Sequence, residues 1–480
     1  MIYFLDIANH SLFFYYLLSN FAYLTMLVVA LKTSAAHLRH LESISFDWIK
    51  GSPMVPPITL LVPAHNEEKF ICTAVRNLLD LDYPELEVIV VNDGSADKTL
   101  QMMQKEFCLR LVRAVYVPQV MSAPIRGLYK SDIDVRLLVM DKEPAGSKAD
   151  AVNAGLNATT SPYVCVVDAD SVLERDALLR IMVPVLADPN RVVAAGGIVR
   201  VLNGSEIEAG RIRRVRLARK SIEVIQVVEY LRAFLIGREA WARGNMLMIV
   251  SGAFGVFRSD LVRAVGGYRS SAIGEDFDLV ARLHRHLLDK GADYRIEFVP
   301  DPVCWTEVPS DLRSLARQRA RWQKGLLDVL WPNRDMLFRR RYGRIGCLAL
   351  PYLWLFELAA PVIEVTGFAT VLLAAVFGAL SWTFFLQFVL FGYGFATMIS
   401  IGSVLQEELT YKRYNDWQDV ARLVSYCFLE HFPYRQLHMI WRLQGLWQYF
   451  RGDMAWRPLK RQGQESVEAD KTGSSPVQAS

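Results

Sequence analysis

The chain has 480 residues, 52% of them hydrophobic, and a formal net charge of +4 at pH 7. Its mean hydropathy of +0.18 is high for a protein without membrane segments, whereas a net charge this small does not indicate a nucleic-acid-binding protein. The six cysteines are scattered, without a CxxC pair or a histidine at zinc spacing, so neither a disulfide framework nor a zinc site is expected.

The N-terminal segment, residues 1–45, is predicted to be a membrane anchor. Residues 11–31 are apolar and long enough to span a bilayer. No Lys or Arg precedes Lys32, whereas a cleaved signal peptide would need basic residues ahead of its apolar run. Lys32, Arg39 and Lys50 follow the span, which places its C-terminal end in the cytoplasm.

Residues 46–335 are predicted to form a soluble α/β domain. Strand-like apolar runs alternate with helical patterns, which predicts a mostly parallel sheet covered by helices. The runs lie at 58–65, 86–93, 135–141 and 163–170, and the helical patterns at 69–81, 97–107 and 147–158. Ligands of such folds bind where the strands end. No GxGxxG or Walker A pattern is present, which disfavours dehydrogenases and P-loop NTPases.

Polar residues follow three of these strands. Asp168 and Asp170 end a buried run and can present oxygens to one divalent cation, because their mutual repulsion would otherwise be unfavourable. The alternative is a pair of solvated loop acids, with Asp170 or Ser171 capping a helix that begins near Leu173. The stretches 63–71 and 92–97 are equally consistent with ordinary strand-to-helix turns. Residues 118–131 are predicted to be a loop, with no function assigned.

Two helical stretches carry further candidates. Glu275 and Asp276 begin an amphipathic helix, whose dipole is expected to lower their pKa values and keep them ionised as bases; ordinary helix-start acids are the alternative. In the basic helix at 312–327, Gln318, Arg321 and Trp322 share one face. Arginine suits a diphosphate and tryptophan a sugar ring, although such a helix could also lie on anionic lipid. The basic stretch 211–220 is predicted to be a solvated or membrane-facing stripe.

Residues 336–410 are predicted to hold membrane helices. Two long spans fit 345–406, with a turn near 378–382, and basic residues on both flanks make both ends cytoplasmic. Glu357 and Glu364 are seven residues apart and would be costly against lipid, so they are expected to face a neighbouring helix or a polar passage. Residues 411–460 are predicted to be interfacial helices, and residues 461–480 a disordered tail.

In this order, the motifs resemble those of one family. NDGSAD, DAD, ED and QRARW, followed by apolar spans, are similar to the membrane-embedded family 2 glycosyltransferases, which include cellulose, hyaluronan, chitin-oligomer and poly-N-acetylglucosamine synthases. The resemblance extends from the first span to about Arg461. It implies an α/β GT-A domain with a mostly parallel sheet, joined to an α-helical transmembrane region. It also implies a multi-pass protein of the inner (plasma) membrane with a cytoplasmic catalytic domain.

The resemblance also implies a role for each matching residue. Ala64, Asn66, Glu67 and Asp93 would line the uridine pocket, with Lys148 near the nucleotide and Asn153 further along its helix. Asp168 and Asp170 would hold the donor diphosphate and its Mg²⁺ or Mn²⁺. Asp276, preceded by Glu275, would be the general base, and Arg321 would stabilise the leaving diphosphate. Gln318 and Trp322 would bind the acceptor. Gly274 stands where the family usually has threonine, which puts the geometry of this loop in question.

The reaction implied is inverting transfer from a UDP-sugar to a growing β-linked polysaccharide, processive and exported through the chain's own spans. Envelope export partners are compatible with it, and nucleic acid is not expected. The main alternative is single addition to a lipid acceptor, such as a ceramide or a polyprenyl phosphate, because such enzymes share the QxxRW-like pattern. A catalytically inactive nucleotide-binding scaffold predicts an eroded acidic motif, and none is eroded. A channel or transporter would not need so large a soluble domain.

Overall fold

A ten-stranded mixed sheet organises the middle of the chain. The structure is a computed structural model that describes residues 2–42, 46–52, 54–113, 116–378, 380–414 and 416–453. The predicted tail at 461–480 lies outside the described residues. The strands are β1 (Ile58–Ala64), β2 (Leu86–Asp93), β3 (Leu109–Val112), β4 (Ile125–Ser131), β5 (Leu137–Lys142), β6 (Tyr163–Val167), β7 (Val172–Leu173), β8 (Val192–Val201), β9 (Glu206–Glu208), β10 (Arg211–Arg214), β11 (Phe254–Arg258) and β12 (Arg295–Thr306).

The sheet runs in the order β3-β4-β5-β2-β1-β6-β11-β8-β12-β7, and β9 and β10 form a separate hairpin. Strands β5, β2, β1 and β6 are parallel neighbours, whereas β11 is antiparallel to both β6 and β8. The central strands are apolar and buried on both faces, as strands covered by two helix layers must be. The ends of β1, β2 and β6 therefore meet at one edge. The predicted parallel arrangement is confirmed for the core of the sheet, whereas β3, β4, β7 and β11 pair antiparallel with their neighbours.

Helices cover this sheet and continue into an apolar bundle. They are α1 (Ile2–Glu42), α2 (Phe46–Lys50), α3 (Ile71–Leu79), α4 (Thr99–Glu106), α5 (Lys148–Ala158), α6 (Ala177–Ala187), α7 (Ser221–Leu231), α8 (Glu239–Arg243), α9 (Ser259–Ala264), α10 (Glu275–Asp289), α11 (Leu312–Leu330), α12 (Leu350–Tyr352), α13 (Ala360–Val376), α14 (Trp382–Val389), α15 (Phe395–Thr410), α16 (Trp417–Leu429) and α17 (Arg435–Phe450). Short 3₁₀ turns lie at Arg334–Met336 and Arg340–Tyr342, and π-helical turns at Arg232–Arg238, Ile345–Ala349, Leu353–Leu358, Leu390–Gly394 and Glu430–Tyr434.

Two local predictions are wrong. The stretch 118–131 is not all loop, because its second half forms β4 between β3 and β5. No helix begins near Leu173: that residue belongs to β7, which pairs with β12, and α6 begins at Ala177. The basic stretch 211–220 exposes Arg213, Arg214 and Arg216, which agrees with the predicted solvated stripe. It begins with β10, whose hairpin packs on α3 at Gly210, where an added Cβ would lie 2.1 Å from the Asn77 side chain.

Two described helices are long and apolar enough to cross a membrane, Ile7–Ser34 and Phe385–Thr410. A third crossing is available if Ile345–Leu358 and Ala360–Val376, which meet at a bend of 45°, form one span. The break between α13 and α14 coincides with the turn predicted near 378–382. Length and composition thus agree with one N-terminal and two later spans.

A buried polar cluster joins the sheet to these helices. The Ser34 hydroxyl donates to the Glu239 carboxylate at 2.9 Å, and the Gln406 amide donates to Ser34 at 2.7 Å. Nearby, Arg200 of β8 forms a 2.5 Å ion pair with Glu407 of α15. Burial raises the pKa of Glu239 to about 8. The sheet domain and the apolar helices are therefore joined by polar contacts as well as by packing.

Candidate active site

One continuous cavity of about 2460 Å³ extends from the sheet edge to the apolar helices. We call it the long cavity. Its donor half contains the strand-end residues, its middle the start of α10 and one face of α11, and its membrane half residues of α1, α13 and α17. The lining includes ten of the twelve residues predicted for the site: Asn66, Glu67, Lys148, Asp168, Asp170, Glu275, Asp276, Gln318, Arg321 and Trp322.

Ala64 and Asp93, the other two, lie behind this lining. Both are buried, and Asp93 forms an ion pair with the fully buried Lys142. Asp93 also accepts a hydrogen bond from the Ala145 backbone at 3.0 Å, and Lys142 reaches Asp150 at 2.8 Å. The structure thus places Asp93 in a charge network beneath the donor half.

The loops after β1 and β2 form one unit in the donor half. Asn66 lies in the left-handed region, with φ 57°, where asparagine is better tolerated than most residues. Its side-chain oxygen accepts from the Ala96 backbone at 2.8 Å, and its own N–H donates to Ser95 at 2.9 Å. The Glu67 N–H donates to Thr99 at 2.8 Å. These reciprocal bonds fix Asn66 and Glu67 on the wall.

Lys148 connects the two acidic motifs. Its ammonium lies 2.5 Å from the Asp168 carboxylate and donates to the Gly252 carbonyl at 2.9 Å. The Gly252 N–H in turn donates to the Asp276 carboxylate at 3.2 Å. Burial alone would lower the pKa of Lys148, but Asp168, Glu275 and Asp276 outweigh burial and raise it. Lys148 therefore remains a cation at the centre of the site.

The two acids that begin α10 differ from the sequence prediction in one respect. Burial raises the pKa of Glu275, and the neighbouring Asp276 charge raises it further, although Lys148 and Arg321 act in the opposite direction. The prediction that the helix dipole lowers both carboxylates is therefore wrong for Glu275, because burial outweighs the dipole. The carboxylate of Asp276 accepts from the Phe277 backbone at 2.8 Å and lines the cavity.

Gly274 packs directly on α11, which explains how the loop is positioned without the usual threonine. A Cβ added at Gly325 would lie 3.2 Å from the Gly274 nitrogen, closer than most real contacts, whereas a Cβ at Gly274 would meet Gly325 at an ordinary 3.6 Å. Gly325 is three residues after Trp322. The start of α10 and the QxxRW helix therefore touch backbone to backbone.

On α11, Gln318, Arg321 and Trp322 all line the cavity, as predicted from their spacing. The Gln318 side-chain oxygen is buried and has no hydrogen-bond partner among the described residues. Trp322 is 44% exposed, and the guanidinium of Arg319 lies 4.3 Å from its ring centre. A flat aromatic surface open to a cavity suits stacking against a sugar ring.

Helix α5 holds the segment 119–124 through a polar stripe. Asp150 accepts from the Ala123 backbone at 3.1 Å, and Asn157 accepts from Val120 at 3.0 Å. Asn153 donates to the Met121 and Tyr268 carbonyls at 3.0 and 2.8 Å. The spacing of these residues puts them on one helix face. Asn153 is thus engaged by loops rather than by the cavity.

Sequence reasoning missed Arg238 as a cavity residue. Its guanidinium lies 3.8 Å from the Phe234 ring centre, and its Nη1 is buried without a partner among the described residues. Burial lowers its pKa to about 10, with the Asp276 charge acting in the opposite direction. It belongs to the π-helical turn Arg232–Arg238, a distortion that hydrophobic periodicity does not reveal.

The membrane half contains paired charges. Glu364 accepts from Arg435 at 2.8 Å, and the Glu357 carboxylate lies 3.6 Å from Arg442. The prediction that these glutamates face a neighbouring helix or a polar passage is confirmed, since they meet α17 and also line the cavity. Their arginine partners were not predicted, because α17 was interpreted as an interfacial helix.

Comparison with known proteins agrees with this site. The family model described as "Glycosyltransferase like family 2" matches residues 125–325, and that described as "Glycosyl transferase family 2" matches residues 59–115. The chain belongs to the family 2 glycosyltransferases. Together the two matches include every residue predicted for the site.

Curated relatives of this glycosyltransferase are poly-β-1,6-N-acetyl-D-glucosamine synthases. The Staphylococcus epidermidis (strain RP62A) protein is 27% identical over 58% of this chain, and the Staphylococcus aureus (strain COL) protein is 28% identical over 57%. The matched region spans 58% and 55% of those relatives. Among solved structures, the mannosyltransferase PcManGT from Pyrobaculum calidifontis, in complex with GDP-Man and Mn²⁺, is 21% identical with a TM-score of 0.51. The match covers 88% of this chain and 99% of that one, and it shows a shared GT-A fold.

The residues of this glycosyltransferase fit a divalent cation that its substrate helps to bind. The described residues contain no group of three or more His, Cys, Asp or Glu side chains that could hold a metal ion. Asp168 and Asp170 nevertheless both line the donor half. Mg²⁺ is usually held by one or two carboxylates, with substrate phosphates and water completing its coordination. The pair therefore suits a metal that binds together with a nucleoside diphosphate.

Proposed function

We propose that this glycosyltransferase transfers a sugar, with inversion, from a UDP-sugar to a growing β-linked polysaccharide. The product would leave processively through the apolar helices. The observation that carries this proposal is the long cavity, which joins Asp168 and Asp170, then Asp276 and Trp322, to the glutamates of the membrane half. A transferase acting on a small soluble acceptor would not need such a passage.

In the proposed reaction, Asp276 takes the proton of the acceptor hydroxyl, whose oxygen attacks the anomeric carbon. The bond from that carbon to the diphosphate breaks, and UDP leaves with the electron pair. Arg321 and Lys148 would stabilise the charge that develops on the diphosphate more than they stabilise the ground state. Attack from the face opposite the leaving group inverts the anomeric centre, so an α-linked donor gives a β-linked product.

The other site residues would position the two substrates. Asn66 and Glu67 would line the nucleotide pocket, with Ala64 and Asp93 supporting it from behind. Gln318 and Trp322 would hold the acceptor. Glu275 would assist the general base Asp276. Asp168 and Asp170 would hold Mg²⁺ or Mn²⁺, which would neutralise charge on the diphosphate.

The first donor to test is UDP-N-acetylglucosamine. The two staphylococcal relatives are named poly-β-1,6-N-acetyl-D-glucosamine synthases, which supports N-acetylglucosamine as the transferred sugar. Since the chain matches little more than half of those relatives, this assignment rests on the catalytic region they share.

We further propose a multi-pass arrangement in the plasma membrane. Residues 1–45 would anchor the chain, and residues 46–335 would form the cytoplasmic catalytic domain. Residues 336–410 would cross the bilayer, followed by interfacial helices up to residue 460. Three candidate crossings by length and composition support this arrangement, as do the basic residues that flank them. An envelope partner would then receive the polymer outside.

The test is UDP release by the purified protein in detergent, with Mg²⁺ or Mn²⁺, a panel of UDP-sugars and sizing of the product. Asp276→Asn is expected to lower kcat by a factor of roughly 10² to 10⁴, because a positioned general base contributes about that much. Polymer formation that is lost in Asp276→Asn supports the proposal. Adducts of one sugar on lipid would instead establish the single-addition alternative. Tight UDP binding without turnover of any donor would contradict both enzymatic functions.

A further inference from the structure

The Trp322 indole lies against the guanidinium of Arg319, an arginine to which the proposed reaction gives no role in binding phosphate. Arg319 lies on the same helix, its guanidinium is 4.3 Å from the Trp322 ring centre, and only 4% of Arg319 is exposed. Trp322, by contrast, is 44% exposed and lines the cavity. Arg319 also lines the cavity, so the indole has a largely buried cation over its ring and an exposed part in the same cavity.

Two further groups hold this arginine in place. Its Nη2 donates to the Glu229 carboxylate at 2.6 Å, and the Tyr434 hydroxyl donates to the same oxygen at 2.9 Å. Tyr434 is itself packed edge-on against Trp441, with ring centres 6.2 Å apart. Three segments that are distant in sequence therefore meet next to Trp322: α7, α11 and the turn before α17.

The charge of Arg319 is already balanced at this position. Glu229 forms an ion pair with it, and burying such a pair costs desolvation that an apolar contact would avoid. Arg321, two residues further on, acts instead on the charge of Glu275 across the cavity. The pair of Arg319 and Glu229 is thus better suited to fixing a ring plane than to neutralising a diphosphate.

We infer that Arg319, Glu229 and Tyr434 are positioning residues that orient the Trp322 indole for the acceptor sugar. This inference rests on the proposed function, because it assumes that Trp322 stacks on the acceptor. Binding to a sugar ring requires the indole plane to be held, and a guanidinium fixed 4.3 Å from the ring centre would restrain it at little entropic cost. The bracing group would therefore affect acceptor binding and leave the nucleotide site unchanged.

The test measures binding without turnover. Isothermal titration of the full chain in detergent with a β-1,6-linked N-acetylglucosamine tetrasaccharide, and separately with UDP, gives one dissociation constant for each half of the cavity. Arg319→Lys keeps the charge opposite Glu229 but loses the planar fork. It is expected to weaken tetrasaccharide binding roughly 5- to 20-fold, with UDP affinity within twofold of the wild type. Glu229→Gln is expected to act in the same direction with a smaller effect.

Arg317→Lys is the matched control, since Arg317 is exposed on the same helix; tetrasaccharide affinity should not change. In a Trp322→Ala background, Arg319→Lys should cause no further loss, because there is no ring left to orient. A full additional loss in that background would overturn the inference, as would equal weakening of UDP and tetrasaccharide. A wild type that binds UDP but no tetrasaccharide would also overturn it, while leaving the donor half of the proposed function standing. Thermal unfolding confirms that each variant is folded.

Discussion

The two halves of the long cavity treat charge in opposite ways. In the donor half and the middle, acids lie in pairs, Asp168 with Asp170 and Glu275 with Asp276. Lys148 and Arg321 are among the cations close to them. In the membrane half, each glutamate meets an arginine from a helix that follows much later, with Glu364 and Arg435 lying 71 positions apart. Neighbouring like charges raise each other's electrostatic energy, and a bound cation reduces that repulsion. Glutamates paired with arginines stabilise the wall of the cavity and attract a charged ligand only weakly. The first arrangement suits a charged ligand, whereas the second has its charges matched within the protein.

The largest functional difference between the two halves is expected from Asp170→Asn. Removing one carboxylate of the donor half should reduce metal-dependent UDP release by roughly 10² to 10⁴-fold, because transition-state charge would lose its counterion. A titration with Mn²⁺ at saturating donor would measure the loss. Glu364→Gln removes a carboxylate from the other half of the same cavity and should largely preserve the rate of UDP release. Equal losses in both variants would mean that the two halves do not differ in function.

For the membrane half, Glu364→Gln should act on stability. It leaves Arg435, whose side chain is 32% exposed, without its charged partner. A partly exposed pair costs less to break than a fully buried one, so a loss of about 1–3 kcal/mol is expected, and thermal unfolding in detergent should begin at a lower temperature. Glu357→Gln should cost less, because its pair is longer and its side chain is 34% exposed. The exchange of both charges, Glu364→Arg with Arg435→Glu, should recover part of the loss. No recovery would contradict direct pairing.

Gly274 and Gly325 are in contact at the middle of the cavity. Substitution there is expected to have an effect of intermediate size on activity and stability. Gly325→Ala places a methyl group 3.2 Å from the Gly274 nitrogen, and overpacking of this kind costs about 1–3 kcal/mol. Gly274→Ala meets only ordinary contacts and should be nearly neutral. Activity and unfolding temperature should therefore fall in the first variant only. The reverse order would show that the two backbones approach differently.

The smallest effect is expected at the junction between sheet and membrane helices. The ordinary pKa of Glu239 is 4.5, and burial raises it to about 8 in the folded protein. A raised folded-state pKa means that the folded state binds the proton more tightly. This contribution is complete below about pH 4.5 and is lost as pH rises through about 8. Glu239→Gln should make the unfolding temperature less dependent on pH between 5 and 8. An unchanged slope would indicate that Glu239 does not titrate in this range.

Much of the donor half could be predicted from sequence because its chemistry is local. Asp168 and Asp170 follow a buried run, and the parallel order of β1, β2 and β6 brings separate strand ends together. Gln318, Arg321 and Trp322 share a face through helix geometry alone. In each case a period or a strand end, visible within about ten residues, determines where the side chain points.

The remaining features depend on tertiary contacts. The short strand β7 replaced a predicted helix because β12 supplies its hydrogen-bond partners, and those lie about 130 residues later in the chain. Residues 417–456 have the composition of interfacial helices. Only the tertiary structure shows that Arg435 meets Glu364 of α13 and that Arg442 meets Glu357 of the turn Leu353–Leu358. The pKa of Glu275 depends on how deeply it is buried, which no local pattern encodes. The bracing of Trp322 likewise requires three distant segments.

The spacing of the paired charges in the membrane half has a mechanical consequence. Glu357 pairs with Arg442 and Glu364 with Arg435, so both sets are seven residues apart and the two chains run in opposite directions. A slide of α17 by one helical turn, about 5.4 Å, would separate both pairs at once. The two ion pairs therefore fix the position of α17 along its axis relative to the segment that carries the glutamates, and they oppose sliding of α17. If the proposed polymer passes through the cavity, it would have to be moved by parts of the molecule other than this wall.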